Sequence, residues 1–321
     1  MIKYMKKSSV VKVFIVSMML LYGVQNEVKA QFDAMFTQYM NNEMFINPAY
    51  AGSCGALSIT ALHRQQWVGF KGAPMTTTLT AHTPLMRNKM GIGLSVLNEK
   101  IGVSNRNVIY ATYAYRLQVT EKAWLSFGLS AGVHLQLERL SDIETDVSND
   151  PNFSANTPLV ATPNFGFGIY FNTDKFYAGF SIPRMVDDHL KVDANMNVLK
   201  QTSVKVKNWH YYATVGRLFT VNSFFKLKPQ LMIKAVANAP LEFDLNLNTL
   251  IKEMFWIGAS YRSSADISIL AGVQINPQFL ISYSYDYPLT KLQKATSGSH
   301  ELVLSYLFAF KGKKIVTPRY F

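Results

Sequence analysis

The stretch that decides the fold is Trp124-Leu125-Ser126-Phe127-Gly128-Leu129-Ser130-Ala131-Gly132-Val133-His134-Leu135-Gln136-Leu137-Glu138. Its odd-numbered residues from 125 to 137 are apolar, and its even-numbered residues from 126 to 138 are small or polar. Successive side chains of a β-strand point to opposite faces of the sheet. This period of two therefore predicts a long strand with one apolar face and one small or polar face.

The same alternation recurs along most of the chain. About fourteen such runs are present, an even number of the length that a tilted membrane strand needs. They are predicted at 56–63, 75–82, 90–98, 106–117, 123–140, 162–172, 175–182, 208–219, 226–237, 241–250, 255–262, 266–274, 278–286 and 299–310. Because a soluble β-sandwich alternates in the same way, the strands alone do not separate it from a membrane barrel.

The connections between the predicted strands separate the two folds. Three long connections, 141–161, 183–207 and 287–298, each follow an odd-numbered strand, whereas all connections after even-numbered strands are short. Long loops on one side and tight turns on the other are typical of a bacterial outer-membrane barrel with both termini in the periplasm. The predicted fold is all-β: a transmembrane outer-membrane β-barrel of about 14 antiparallel strands with a short N-terminal helix, forming one domain over residues 31–321. Aromatic residues near strand ends suit the interfacial girdles of such a barrel: Trp124, Trp209, Trp256, Tyr283 and Tyr285.

The first thirty residues predict export. Lysines precede an apolar run over 13–22, and the segment ends at Val28-Lys29-Ala30, so 1–30 is predicted to be a signal peptide cleaved after Ala30. The apolar run is too short to span a bilayer. The single cysteine, Cys54, lies well past the cleavage site, which argues against a lipoprotein anchor, and it has no partner for an internal disulfide. We therefore expect the mature chain in the cell outer membrane, in contact with outer-membrane lipid.

The charge argues against nucleic acid as a partner. The formal net charge is +12, and the signal segment accounts for five lysines and one glutamate, which leaves 12 − (5 − 1) = +8. That charge is spread along the chain, with no basic helix and no arginine-rich run. An anionic surface such as lipid or cell wall stays open as a partner.

Residues 31–55 are predicted to lead into the barrel. Apolar residues at 32, 35, 36, 39 and 40 fall at helical spacing, and Asn47-Pro48 ends the pattern. This spacing predicts a short amphipathic helix over 32–45, packed on or inside the barrel. We expect 47–55 to run from this helix, at the periplasmic side, into the first strand.

Two blocks of glycine, proline and specialised residues flank the first strand. They are either connections or loops of defined shape that present Arg64 and Trp67 to a partner or pack them into the barrel. The block at 64–74 is expected to be an outward loop that folds over the mouth, with Trp67 as a buried anchor and Arg64 paired to an acidic lumen residue or to cargo. The candidate partner-binding and loop-anchoring residues are Asn47, Pro48, Tyr50, Gly52, Arg64, Gln66, Trp67, Gly69 and Pro74.

The lumen face of strands five to seven is unusually small. Small inward residues make space for a plug such as the 32–45 helix, for a bound polypeptide or for water, or they only relieve crowding and allow curvature. The candidate lumen residues are Ser126, Gly128, Ser130, Gly132, Glu242 and Asp244. The two acids are expected to face lysines 226, 228 and 234 as a charged wall.

The sequence favours no enzyme. His134 and Glu138 share one inward face, but neither has an evident supporting partner. The histidines lack metal-ligand spacing, and no nucleophile elbow or phosphate-binding loop is present, so no catalytic residue, metal or cofactor is predicted. The basic tail 311–321 either docks a periplasmic partner or is a solvated end.

Several motifs occur together in this chain: Gln38-Tyr39-Met40, Asn47-Pro48-Ala49-Tyr50-Ala51-Gly52, Arg64 with Gln66-Trp67-Val68-Gly69, Ala73-Pro74, Gly91 and Gly93, Ile101-Gly102, Tyr113 to Tyr115, and Pro318-Arg319-Tyr320-Phe321. In this combination they resemble the PorP/SprF family of outer-membrane barrels of the type IX secretion system in Bacteroidota. The resemblance implies a role in protein secretion to the cell surface, and gliding motility in some members. It implies as partners the periplasmic ring or peptidoglycan-associated subunits of the secretion system, and in some members the C-terminal signal domain of a secreted protein. The loops 141–161 and 183–207 match no family motif and are where cargo choice is expected. A diffusion porin or small-molecule transporter is the alternative, and a barrel enzyme is the third.

Overall fold

A computed structural model describes residues 34–143, 155–192, 198–237, 239–263 and 266–308. The predicted signal peptide and the 311–321 tail lie outside the described residues.

Fourteen antiparallel strands form a closed barrel, as predicted. Each strand pairs with the next in the chain, and the last pairs with the first, from Leu57 opposite Phe308 to Gln65 opposite His300. The bounds are β1 Leu57–Gln65, β2 Met75–Leu85, β3 Met90–Ile101, β4 Ser104–Thr120, β5 Ala123–Glu138, β6 Val160–Thr173, β7 Phe176–Ile182, β8 Tyr211–Arg217, β9 Phe225–Ala235, β10 Glu242–Ile251, β11 Phe255–Arg262, β12 Asp266–Asn276, β13 Phe279–Pro288 and β14 Ser299–Phe308.

The connections are sorted as the sequence predicts. The long ones, 139–159, 183–210 and 289–298, all follow odd-numbered strands, and we call that end of the barrel the outer end. The other end, with the turns after even-numbered strands, is the inner end. Two features were not predicted: a hairpin of Asp187–Val192 and Val198–Ser203 in the longest connection, and the two-residue strand Phe219–Thr220 beside β9.

Side chains alternate between the two faces of the wall. On β5, inward Ser126 is fully buried whereas outward Leu129 is 61% exposed. An apolar surface of this kind faces lipid in an outer-membrane barrel, and the polar face lines the interior. None of the helices in the described residues has the length and apolar character to cross a membrane.

One expectation about the N-terminal segment is wrong. Instead of one helix over 32–45, the described residues form a 3-10 turn at Tyr39–Asn41 and the short helix α1 at Glu43–Ile46, followed by a 3-10 turn at Pro48–Tyr50. Helical geometry is interrupted because backbone groups of this segment bond to the barrel wall instead of to each other. Residues 34–56 lie inside the barrel, one of the two positions expected for the helix, and we call them the plug.

The plug runs from one end of the barrel to the other. The carbonyl oxygen of Phe36 accepts a hydrogen bond from Arg262, the last residue of β11 at the outer end. Gly52 lies against Gly91, near the start of β3 at the inner end. The first described residues therefore lie near the outer end. The two ends of the chain, which were expected in the periplasm, lie outside the described residues.

Candidate functional site

A buried ionic cluster holds the plug at the outer end. The Nη1 atom of Arg64 lies 2.6 Å from Asp286 Oδ2 and 3.1 Å from Glu301 Oε2. Glu301 also accepts hydrogen bonds from the backbone N–H groups of Thr37 at 3.0 Å and Gln38 at 2.7 Å. Removing two acids and a base from water is costly unless each is paired. The plug supplies part of that pairing through its backbone N–H groups. The position of the plug and the stability of the buried charges therefore depend on each other.

A second arginine adds to the same end. The Arg262 guanidinium contacts both carboxylate oxygens of Asp244, with Nε 3.0 Å from Oδ1 and Nη2 3.1 Å from Oδ2. Its Nη2 atom also donates to the carbonyl oxygen of Phe36 at 3.2 Å. Such a bidentate pair fixes the plane of the guanidinium group. It thereby fixes the position of Nη2, which donates to the plug.

The predicted charged wall is therefore divided. Glu242 lies 3.4 Å from Lys234, as expected for an acid facing the lysines of β9. Asp244 instead faces Arg262 on the next strand, because the Cα partner of Asp244 on β9 is the apolar Met232.

Polar side chains fasten the middle of the plug. Asn42 donates to Thr78 Oγ1 at 3.0 Å and accepts from Thr80 Oγ1 at 3.1 Å, so both ends of its amide are bonded to β2. Across the lumen, Ser181 Oγ donates to the carbonyl oxygen of Ile46 at 2.9 Å. The plug thus bridges opposite walls of the barrel.

Glu43 is a buried acid at the start of α1. Burial raises its pKa to about 7 from an ordinary value of 4.5, and the hydrogen bond from Thr214 and the charge of Lys228 oppose that rise. Thr214 Oγ1 donates to Glu43 Oε1 at 2.9 Å. The plug therefore carries a carboxyl group whose protonation changes near neutral pH.

The predicted block at Asn47 fits into gaps left by glycines. Asn47 Oδ1 accepts from the N–H of Ala49 at 3.0 Å, and Asn47 Nδ2 donates to the carbonyl oxygen of Ile169 at 3.0 Å. A Cβ at Gly168 would overlap Asn47 Oδ1, and a Cβ at Gly128 would overlap the backbone of Ala49. Small inward residues here allow the plug to approach the wall closely. The segment 47–55 leads into β1 at the inner end and packs against the inside of the wall.

The other small lumen residues do not all face the plug. Ser126 accepts from Arg116 Nε at 3.4 Å. A Cβ at Gly132 would overlap the Ile109 carbonyl of β4, and Ser130 Oγ lies beside Gly166. At these positions the small residues relieve crowding within the wall.

Gly52, near the C-terminal end of the plug, has a positive φ of 76°. Its N–H donates to His82 Nδ1 at 3.1 Å and its carbonyl accepts from Arg116 Nη1 at 2.7 Å. Tyr50, two residues earlier, packs edge-on against the rings of His82 and Tyr170, with centroid distances of 5.3 and 5.4 Å. Pro48 is buried and starts the 3-10 turn at 48–50.

The connection 66–74 lies at the outer end, as expected. Gln66 N–H donates to the Pro74 carbonyl at 2.9 Å, which closes the loop at its base, and Gly69 takes a φ of 95°. The loop is fastened to the connection 289–298, since Val68 N–H donates to the Gly298 carbonyl at 2.8 Å.

Trp67 is not the expected buried anchor. Its side chain is only partly buried and its φ is 47°, a conformation that non-glycine residues rarely adopt. The backbone carries the attachment instead, because the Trp67 N–H donates to Ser299 Oγ at 3.2 Å. Arg64 lies in β1 and points into the lumen, where it meets acids of the wall.

A vestibule lies between the plug and the wall formed by β9–β14, β1 and β2. It reaches the inner end at Gln278, in the turn after β12. Apolar and polar groups share its lining, among them Met44, Lys228, Asn248, Trp256, Leu270 and Gln274.

The considered catalytic pair is not brought together. His134 Nε2 lies 2.7 Å from the Tyr110 hydroxyl, whereas Glu138 accepts from Ser104 at 3.0 Å and from Gln136 at 2.7 Å. Within the described ranges no group of three or more His, Cys, Asp and Glu residues has the geometry of a metal site.

Sequence reasoning missed the acids and the arginine that hold the plug: Glu43, Arg262, Asp286 and Glu301. A signal was present for the three strand residues, because charged residues occupy inward positions of membrane strands at a cost and usually have partners. Nothing in the local pattern identified the plug as that partner.

A family model described as type IX secretion system membrane protein PorP/SprF matches residues 28–306. The chain belongs to the PorP/SprF family. The predicted family membership is therefore confirmed, and the barrel is that of an outer-membrane protein of the type IX secretion system. No curated protein sequence matches this PorP/SprF chain.

Solved barrels share low identity with this PorP/SprF protein. Acinetobacter baumannii Omp33 is 8% identical with a TM-score of 0.45, over 79% of this chain and 98% of that one. The CymD monoaromatic hydrocarbon channel is 12% identical with a TM-score of 0.48, over 87% and 95%. The Pseudomonas putida toluene transporter TodX is 10% identical with a TM-score of 0.45, over 85% and 95%.

Proposed function

We propose that this PorP/SprF protein is a non-enzymatic docking barrel. It supports protein secretion by binding a polypeptide from the periplasm at the inner-end vestibule. That polypeptide is either a periplasmic component of the type IX secretion system or the C-terminal signal domain of a secreted protein.

The observation that carries this proposal is the plug. Residues 34–56 bridge opposite walls and are bonded to the barrel at both ends, from the ionic cluster at Arg64 to the Gly52 contacts with His82 and Arg116. A diffusion porin needs a continuous water path, which this arrangement opposes. The vestibule offers space at the inner end, where a periplasmic partner approaches.

The lining of the vestibule suits a protein partner. Trp256 and Leu270 supply apolar area, while Asn248 and Gln274 supply amide groups for backbone hydrogen bonds. Aromatic anchors surrounded by polar groups are typical of the centre of protein interfaces.

Filling the vestibule tests the proposal. Gln274→Trp places a large side chain in the vestibule, and Val273→Trp places the same side chain on the outward face of the same strand, where Val273 is 38% exposed. We expect affinity purification after chemical cross-linking in the native host to recover a partner with the wild type and with Val273→Trp, and to lose it with Gln274→Trp. Mass spectrometry of that partner separates a secretion component from cargo. Equal recovery from all three proteins, or recovery of the barrel alone from the wild type, contradicts the proposal.

A further inference from the structure

A row of polar side chains crosses the lipid-facing surface near the outer end. His63 of β1 pairs in register with Thr77 of β2, Thr77 with Asn98 of β3, and Asn98 with Asn107 of β4. All four occupy outward positions of the alternation. With adjacent strands about 4.8 Å apart, this polar row is roughly 14 Å wide.

The members of the row are bonded in two sets. His63 Nδ1 lies 2.9 Å from Thr77 Oγ1, and Asn98 Nδ2 donates to Asn107 Oδ1 at 2.8 Å and to Asn105 Oδ1 at 3.0 Å. These bonds orient the imidazole and the amides on the outward face. These groups remain at the protein surface, since His63 and Thr77 are exposed.

The row lies at the outer-end edge of the outward apolar residues of β2 and β3. On β3 these residues are Met90, Ile92, Leu94 and Val96, and on β2 they are Leu79, Ala81 and Leu85, with Thr83 between the last two. Each stretch is about 20 Å along the strand, or about 15 Å along the membrane normal at a tilt of about 40°. Because the apolar surface faces the lipid tails, its outer-end edge is where lipid headgroups begin.

The charge next to the row is positive. Lys100 follows Asn98 on the same face of β3 and is exposed. In the part of the chain that the structure describes, the outward positions of β1–β4 at this end carry no acidic side chain, because Glu99 points inward and pairs with Arg106 at 2.7 Å. A cation beside neutral hydrogen-bonding groups favours a ligand in which an anionic group is attached to a part with many hydroxyl groups.

We propose that the polar row and Lys100 bind the phosphorylated sugar headgroup of an outer-leaflet glycolipid. The amides, the imidazole and the hydroxyl bond sugar hydroxyls, and Lys100 pairs with a phosphate. Acyl chains of the same lipid cover the short apolar stretches below. This binding site is independent of the vestibule and of the proposed docking function.

Lipid A is the probe for this site. Asn98→Leu combined with Lys100→Leu removes a central amide and the cation from the lipid-facing surface, where apolar side chains are compatible with folding. Thr83→Val is the matched control, because Thr83 is an outward polar residue of β2 at the inner end. Purified proteins in detergent are mixed with lipid A or with phosphatidylglycerol, and bound lipid is counted by native mass spectrometry. Heat-modifiable gel migration verifies that each barrel is folded.

We expect one lipid A on the wild type and on Thr83→Val, at least tenfold less on the double variant, and weak binding of phosphatidylglycerol to all three. Three results overturn the proposal: equal lipid A binding by the double variant, equal binding of phosphatidylglycerol and lipid A by the wild type, or a wild-type dimer that the double variant loses. The last result assigns the row to a second copy of the chain. His63→Leu, which leaves Lys100 in place, is a second test if the double variant does not fold, and it is expected to weaken lipid A binding as well.

Discussion

Arg64 on β1 and Asp286 on β13 form an ion pair of 2.6 Å inside the barrel, although a whole strand, β14, separates their backbones. Both side chains are almost completely buried. Glu301 on the intervening strand joins the same cluster and receives the two plug amides. The cluster therefore joins the strands at which the barrel closes to the N-terminal part of the plug.

Replacing Arg64 should destabilise the barrel and loosen the attachment of the plug. Arg64→Met leaves Asp286 and Glu301 buried without their cation, and breaking a buried pair in this way costs about 3–5 kcal/mol. We expect a lower urea midpoint in liposomes and faster protease cleavage within the plug. Arg139→Met, at an exposed position in an outer connection, is the control and should change neither. Unchanged stability and protection in Arg64→Met would show that the cluster does not hold the plug.

Gly168 tests the fit of the plug against the wall. Gly168→Ala places a Cβ where Asn47 Oδ1 lies, so the plug must shift and stability should fall by about 1–3 kcal/mol. Adding Asn47→Ala removes the overlapping carboxamide, so the double variant should lose less than the sum of the two single losses. Ala178→Val, on the outward face of the neighbouring strand, is the control. If urea unfolding shows that the two losses of stability are strictly additive, Gly168 and Asn47 are not in contact.

Glu43 should make stability depend on pH. Its pKa in the folded protein is about 7, above the ordinary 4.5 of the unfolded chain, so the folded state binds the proton more tightly. Stability should therefore decrease as the pH rises from about 4.5 to about 7 and be constant above that window, with a total effect of up to about 3 kcal/mol. Glu43→Gln should lack this decrease and be more stable than the wild type at pH 8. Parallel pH profiles of the two proteins in urea unfolding would refute a buried, proton-binding Glu43.

The direction of the plug can be read from thiol labelling. Ala34 is partly exposed near the outer end, so Ala34→Cys in a Cys54→Ser background should react with a membrane-impermeant maleimide added to intact cells. Glu121→Cys, in the turn after β4 at the inner end, should react only after the outer membrane is opened. Labelling of Ala34→Cys only in opened cells would mean that the plug enters from the periplasm.

The wall of this barrel can be predicted from the sequence, whereas the plug is only one of several alternatives that the sequence allows. Alternation in a strand such as β5 reflects two environments, lipid and lumen, that each residue meets through its own local position. The lengths of the connections after odd-numbered and even-numbered strands follow from the same local pattern. Arg64 and Asp286, in contrast, are more than 200 residues apart and meet only because the barrel closes.

The N-terminal segment shows where prediction from the local sequence pattern fails. Its apolar spacing at Phe36 and Tyr39 has a helical period, but Thr37 and Gln38 between them give their backbone N–H groups to Glu301. Tertiary hydrogen bonds override the local propensity, and the helix divides into short turns. The glycines at 128 and 168 signalled space in the lumen without showing what fills it.

Ion flux through the reconstituted protein tests the central claim most directly. The protein is inserted into liposomes, flotation verifies insertion, and potassium release is followed with an ion-selective electrode. If residues 34–56 close the lumen, the wild type should release potassium no faster than protein-free liposomes, as measured against a known porin at the same protein-to-lipid ratio. Steady porin-like release by the inserted wild type would contradict a plugged barrel.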